Sequence, residues 1–310
     1  MTAPTVGALR DVAPSPVVRR RRWRERGLAL ALLLPSIVAF GTWVYYPFAR
    51  TIWLGLFRTS PFGNRTTYVG LEQYRDVLTS SDFHNSLWVT LLFTLMTVPV
   101  GLALGLGLAV LAHQRLAGIG AYRTIFSSTV ATSVAVASLM FIALLSPSVG
   151  LINQIIKGMG REPVYFLERP GWALIAIAAV TVWQNLGVTF IVISAGLQSV
   201  PDDLYESARL DGAGAWSRFV DITLPLLSPT LLFGFVVLTI TSFQTFGQVD
   251  LLTNGGPLDA TNLIVFSIYT EGFRNFNPGV AAAQAVVLFL IVLALSVVQL
   301  KVLERRVFYG

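Results

Sequence analysis

Residues 27–49 run for 23 positions without a charged side chain, and 87–112, 121–145, 172–197, 228–249 and 279–300 are comparably apolar. Crossing the ~30 Å hydrocarbon core of a bilayer takes ~20 such residues as helix. Water is absent there, so a chain with long apolar runs satisfies its backbone internally, as helices. The runs predict an all-α membrane protein with six transmembrane helices. Composition agrees: 54% of the residues are hydrophobic and 12% charged, against about 25% charged in soluble domains. The chain has no cysteine, which removes disulfides and thiolate metal sites.

The charge distribution sets an orientation. Arg19 to Arg22, Arg24 and Arg26 form a basic block directly before the first run, the pattern of a cytoplasmic flank. The run is too long for a signal peptide, and it ends in Trp43, Tyr45 and Tyr46 rather than a small-residue cleavage site. With the N-terminus inside, the 22 lysines and arginines divide 14 inside to 8 outside, and six spans return the C-terminus to the cytoplasm. Residues 1–18, with Pro4, Pro14 and Pro16, predict a disordered tail. Residues 50–86 are too polar to span and predict a small folded cap with a short helix near 72–78, and 146–171 is a second such connection. Gly101, Gly105 and Gly107 predict close helix packing.

Between the fourth and fifth runs lies a stretch that cannot enter hydrocarbon, because it carries Asp202, Asp203, Glu206, Asp211 and Asp221. Asp203 with Glu206 three residues on, just after Pro201, predicts an acid N-cap and a short helix. Gly212 breaks that helix, 213–221 can form a second, and Pro225 closes the unit. The charge count places this helix-turn-helix loop in the cytoplasm. Its sequence, ESARLDGAGAWSRFVDITLP, has Glu206, Ala208, Gly212, Ile222, Leu224 and Pro225 at the spacing E-A-A-x3-G-x9-I-x-L-P, with Ser207 in place of the second alanine. This resembles the coupling loop of binding-protein-dependent ABC importer permeases, and Asp211, Ala213 and Phe219 fit the fuller form found in sugar permeases. LTNGGP (252–257), the spacing of Pro35 to Tyr46 and Pro47, and the ending from Glu304 to Tyr309 are similar to the carbohydrate-uptake branch, the sugar and glycerol-3-phosphate permeases.

Neutral polar residues mark the fourth and fifth runs. Thr241, Gln244, Thr245 and Gln248 fall at i, i+3, i+4 and i+7, one face of a helix. Thr181, Gln184, Asn185 and Thr189 do much the same, with Trp183, Phe243 and Phe246 beside them. Amides and hydroxyls next to aromatic faces suit a hydroxylated solute, so these residues are a candidate substrate pathway. The same groups also serve as glue between helices, at ~0.6 kcal/mol per bond. Gln284, alone in the sixth run, reads as glue. A phosphate-bearing solute calls for cationic donors near the path, and none is expected within the spans.

Catalytic chemistry is not indicated. No G-x4-G-K-[ST] phosphate loop occurs, and His84 and His113 are isolated at run edges. No carboxylate or histidine falls inside the runs, which disfavours a self-contained secondary transporter or channel. A membrane-embedded enzyme lacks a visible constellation.

The resemblance implies a permease subunit in the cell inner membrane, moving a sugar or glycerol-3-phosphate-type solute. It implies as partners a second permease subunit, ABC ATPase subunits and an extracytoplasmic solute-binding protein, with membrane lipid around them and no nucleic acid. No cofactor is expected on this chain, and ATP and Mg2+ belong to the partner ATPase. The expected domains are a cytoplasmic N-terminal tail (1–26), a six-span domain (27–303) containing the coupling loop (201–225), and a cytoplasmic C-terminal end (304–310).

Overall fold

The computed structural model describes residues 16–60, 63–114 and 118–306. It divides into two compact units, Met1–Trp53 and Leu54–Gly310. The tail expected over 1–18 lies outside the described residues up to 15, and helix begins at Pro16. In the first unit α1 (Pro16–Phe40) passes through a π turn (Gly41–Tyr45) into α2 (Tyr46–Leu54).

The structure is mostly helical, as expected, and the second unit opens with a short hairpin that composition did not announce. β1 (Phe57–Ser60) pairs antiparallel with β2 (Gly63–Tyr68), Phe57 opposite Tyr68 with their rings 5.3 Å apart. Aromatic and β-branched residues such as Phe57, Thr59, Thr67 and Tyr68 favour such strand pairing. α3 (Glu72–Thr79) follows, inside the connection expected to fold as a cap. Gly279 lies so close to Phe57 that a Cβ there would collide with its carbonyl oxygen.

α4 (Ser81–His113) starts at Ser80, whose hydroxyl accepts from Phe83 N at 3.5 Å. It packs along α8 (Pro170–Gln198), with Gly105 directly against the Thr189 side chain. Gly101 contacts Leu238, whereas Gly107 meets open space, so only part of the expected glycine packing forms. The apolar cores lie between these helices and their neighbours, one around Phe93, Ile177 and Val249, another around Ile193, Leu197 and Leu227.

The third run is not a straight span. α5 (Ile119–Ser127) passes into a 3-10 turn (Ser128–Ala131), and α6 (Val134–Leu145) leaves it at 105°. The described residues thus hold five helices long and apolar enough to cross a membrane, or six if this bent pair counts as one. Hydroxyl residues make the bend: Ser133 caps α6 by accepting from Val136 N at 3.2 Å, and Thr129 Oγ1 accepts from Gly187 N at 2.9 Å. α7 (Leu151–Gly158) is fixed by buried Asn153, whose amide donates to the carbonyls of Leu145, Ser146 and Val164 and accepts from Val164 N at 2.7 Å.

α9 (Asp202–Leu210) is preceded by Pro201 at its N-cap, so the acid cap expected at Asp203 does not form; Asp202 and Asp203 occupy the first turn. α10 (Ala215–Arg218), a π turn (Phe219–Thr223) and α11 (Leu224–Phe243) run on as one helical stretch. Pro225 therefore does not close a separate unit. It sits inside that stretch, next to the π turn, where Leu224 N bonds Phe219 O across the wider turn. The fifth span ends at Phe243, short of 249, and α12 (Gly247–Leu252) follows a break. α13 (Ile264–Tyr269), a π turn (Thr270–Arg274) and α14 (Pro278–Leu303) complete the unit.

Candidate solute path and coupling loop

The break after α11 and the bend after α5 meet against α8. Between them is a cleft of about 400 Å³, lined by Thr181, Gln184 and Asn185 from α8, Thr241, Gln244, Thr245 and Gln248 from the fifth run, and Thr129 and Thr132 from the bend. Gln248 donates its amide to Gln184 Oε1 at 2.8 Å, and Gln184 donates to Thr132 O at 3.3 Å. One amide chain thus ties together the two places where helices are interrupted. Asn185 and Gln244 make no side-chain hydrogen bond among the described residues, so their amides are open to the cleft.

Seven of the eight polar residues expected along the pathway line this cleft, but the geometry differs from the expected helix face. Gln244 and Thr245 lie in the break itself, and Gln248 belongs to α12. Gly247 allows this because its backbone approaches Val134 where a Cβ would crowd the valine side chain. Thr189, Trp183 and Phe243 do not line it. Trp183 packs edge-on against Phe141 at 5.5 Å, Phe243 is 2% exposed in the core, and Thr189 donates to Asn185 O and packs on Gly105. Large aromatic surfaces gain most by full burial, which draws Trp183 and Phe243 inward. Phe246 does line the cleft and joins an aromatic cluster with Phe266 and Tyr269. Beyond it Arg274 lies over both of those rings and donates to Asp250 at 3.1 Å.

The acidic loop is held by its own backbone. After α9, Gly212 adopts φ +79°, Gly212 N bonds Arg209 O at 3.1 Å, and Ala213 N bonds Ala208 O at 2.9 Å. This pair of bonds is the Schellman closure, which requires a left-handed residue where only glycine is unstrained. Asp211 N bonds Ser207 O, and Arg218 donates to Ala213 O at 2.8 Å. Tyr205 and Thr223 share a hydrogen bond of 3.0 Å that joins α9 to the π turn. Glu206, Arg209, Arg218 and Phe219 line a cleft of about 440 Å³ beside His113. Leu210 is 90% exposed, Trp216 is exposed, and Ile222, Leu224 and Pro225 are half-buried.

Residues 86–309 match the family described as binding-protein-dependent transport system inner membrane component. The chain belongs to that family. The permease is 35% identical over 286 residues to the sn-glycerol-3-phosphate transport system permease protein UgpA of Agrobacterium fabrum, covering 91% of this chain and 97% of that one. The protein of the same description from Escherichia coli is 33% identical over 288 residues, covering 93% and 97%. A crystal structure of a bacterial ABC transporter involved in the import of the acidic polysaccharide alginate superposes with a TM-score of 0.79 at 25% identity, covering 92% of the permease and 99% of that chain. A further crystal structure, of a bacterial alginate ABC transporter in complex with an alginate pentasaccharide-bound periplasmic protein, shares the fold at a TM-score of 0.83, 24% identity and 94% and 98% coverage. The permease is a multi-pass inner-membrane subunit of an ABC importer, in which ATP hydrolysis resides in a separate subunit.

Sequence reasoning missed two groups in the permease. Thr129 and Thr132 form a wall of the cleft; the hydroxyl-rich run STVATS was the available signal. Arg123, inside the third run, contradicts the expectation that no cation lies within the spans. It donates Nε and Nη2 to Ala112 O at 3.1 and 2.8 Å.

Proposed function

We propose that this permease forms one half of a solute pore, and that the cleft at the two helix interruptions is its solute-contacting part. The observation that carries the reading is the joint placement of Gln184, Asn185, Gln244 and Gln248 around one cavity, two bonded to each other and two with open amides. Such groups bind hydroxyls. The solute proposed is a polyhydroxylated molecule of the sugar or glycerol-3-phosphate class, a reading supported by the relatives named as sn-glycerol-3-phosphate permeases.

Residues 201–225 are the coupling loop in this scheme. Glu206, Ser207, Ala208, Asp211, Gly212, Ala213, Phe219, Ile222, Leu224 and Pro225 present or shape the surface that docks on the ATPase, with both termini and the loop in the cytoplasm. A second permease completes the pore, a solute-binding protein delivers cargo outside, and ATP and Mg2+ act in the ATPase partners. Residues 1–26, 27–303 and 304–310 serve as N-terminal tail, transmembrane domain and C-terminal end; 307–310 lie outside the described residues.

The test uses the transporter assembled with its partners and binding protein. Asn185→Leu and Gln244→Leu each remove one open amide, and uptake of sn-glycerol 3-phosphate or of a neutral disaccharide is expected to fall about fivefold per lost bond. Normal uptake of whichever solute the wild type carries, in both variants, sinks the pathway assignment.

A further inference from the structure

The proposed cleft covers only part of α8. Thr181, Gln184 and Val188 line it, and Ile191, Ala195 and Gln198 continue the same helix face at steps of three and four residues. Those three line a second cavity, of about 360 Å³, at the end of α8 that leads toward α9. From Thr181 to Gln198 the helix rises about 25 Å at 1.5 Å per residue, most of a bilayer core. The element opposite α8 is also shared: the 3-10 turn supplies Thr129 to the cleft, and α5 supplies Arg123, Thr124 and Ser127 to the second cavity. The cavities are successive chambers along one helix face.

Their chemistry differs. The cleft is lined by amides, hydroxyls and apolar groups, with no ionisable residue. The second chamber holds Arg123 and His113 and no carboxylate. Arg123 is pinned along one edge, Nε and Nη2 both donating to Ala112 O, which leaves Nη1 uncommitted among the described residues. Ser194 also lines the chamber, and its Oγ is buried without a partner. An oriented guanidinium with an imidazole and an open hydroxyl beside it is a donor set for phosphate or carboxylate oxygens.

We propose that this second chamber binds the anionic group of the solute, a phosphate monoester or carboxylate, on the side of the path nearest α9. The inference rests on the pathway reading of the cleft and adds that the transported solute is an acid. A lipid phosphate has the same oxygens, but the chamber shares the α8 face that lines the cleft, which favours a solute.

The absence of native cysteine makes introduced thiols unique to their positions in this chain. Gln198→Cys and, separately, Asn185→Cys are assembled with the partner subunits in phosphatidylcholine nanodiscs. Each is reacted with an anionic and a cationic thiosulfonate of similar size, and labelling of this chain is read by mass. With each rate scaled to that of a small free thiol, Gln198→Cys is expected to favour the anionic reagent about tenfold, and Asn185→Cys neither. Adding Arg123→Gln should bring the ratio near one. Arg123→Lys, which keeps the positive charge, should leave the anionic preference in place and so guards against misfolding of the glutamine variant. The phosphate ester sn-glycerol 3-phosphate should slow the reaction of Gln198→Cys, and glycerol should not. Equal rates at Gln198→Cys, with Asn185→Cys reached by both reagents, overturn the anion site and leave the path standing. An Asn185→Cys thiol that neither reagent reaches overturns the path, and the inference with it. Protection by phosphatidylglycerol in the disc but not by sn-glycerol 3-phosphate assigns the chamber to lipid and also refutes the proposal.

Discussion

Replacing Gln184 by leucine removes two hydrogen bonds at once, and what each lost partner then faces sets the magnitude. Gln248 Nε2 loses its acceptor at 2.8 Å in a side chain only 7% exposed, and Thr132 O loses its donor at 3.3 Å. An unsatisfied buried group costs about 1–3 kcal/mol. Thr132 lines the cleft, where water can replace the longer bond, so most of the cost falls on Gln248 and totals about 2 kcal/mol. Gln248→Leu strands only Gln184 Oε1, which also borders the cleft, and costs about 1 kcal/mol. In the double variant the shared bond is lost once, giving a coupling of about 1 kcal/mol, within the spread of roughly 0.6–1.7 measured between membrane helices. Equilibrium unfolding of the purified permease in mixed micelles, over the four members of the cycle, reads these values. Additivity, or a greater loss from Gln248→Leu than from Gln184→Leu, would refute the amide chain as described.

Two further outcomes follow from local geometry. Gly212→Asp places a side chain at φ +79° in open space, a backbone cost of about 1–2 kcal/mol. The protein should still insert, as judged by membrane fractionation, while transport is abolished; normal uptake removes the role assigned to the turn. Asn153→Leu leaves Val164 N and three carbonyls without their buried partner. It should destabilise by about 3 kcal/mol, seen as a lowered midpoint in the same micelle unfolding experiment.

What could be read in the sequence followed from composition and spacing. Long apolar runs, the glycine that ends α9 and the amides of the fourth and fifth runs each depend on residue types within one segment. The departures depend on contacts between segments. Spacing alone makes Gln244 and Thr245 look like a continued helix, and only the approach of Gly247 to Val134 shows why the chain breaks there. The 105° bend likewise draws on Thr129, whose partner Gly187 lies 58 residues away. Trp183 and Phe243 were expected beside the amides; they are, but their neighbours turn them into the core. Arg123 stood in plain view inside an apolar run, and its acceptor, the carbonyl of Ala112, could not be foreseen.

α8 carries no interior proline, and its 29 residues are unbroken, whereas both segments facing it across the cleft are jointed at the level of Gln184. It can serve as a mast, with α5–α6 and α11–α12 as two hinged booms on either side. Widening or closing the space between them then leaves the mast straight and is absorbed at the joints. Among the described residues, Gln184 is the one α8 side chain hydrogen-bonded to both, and so it registers the position of each boom.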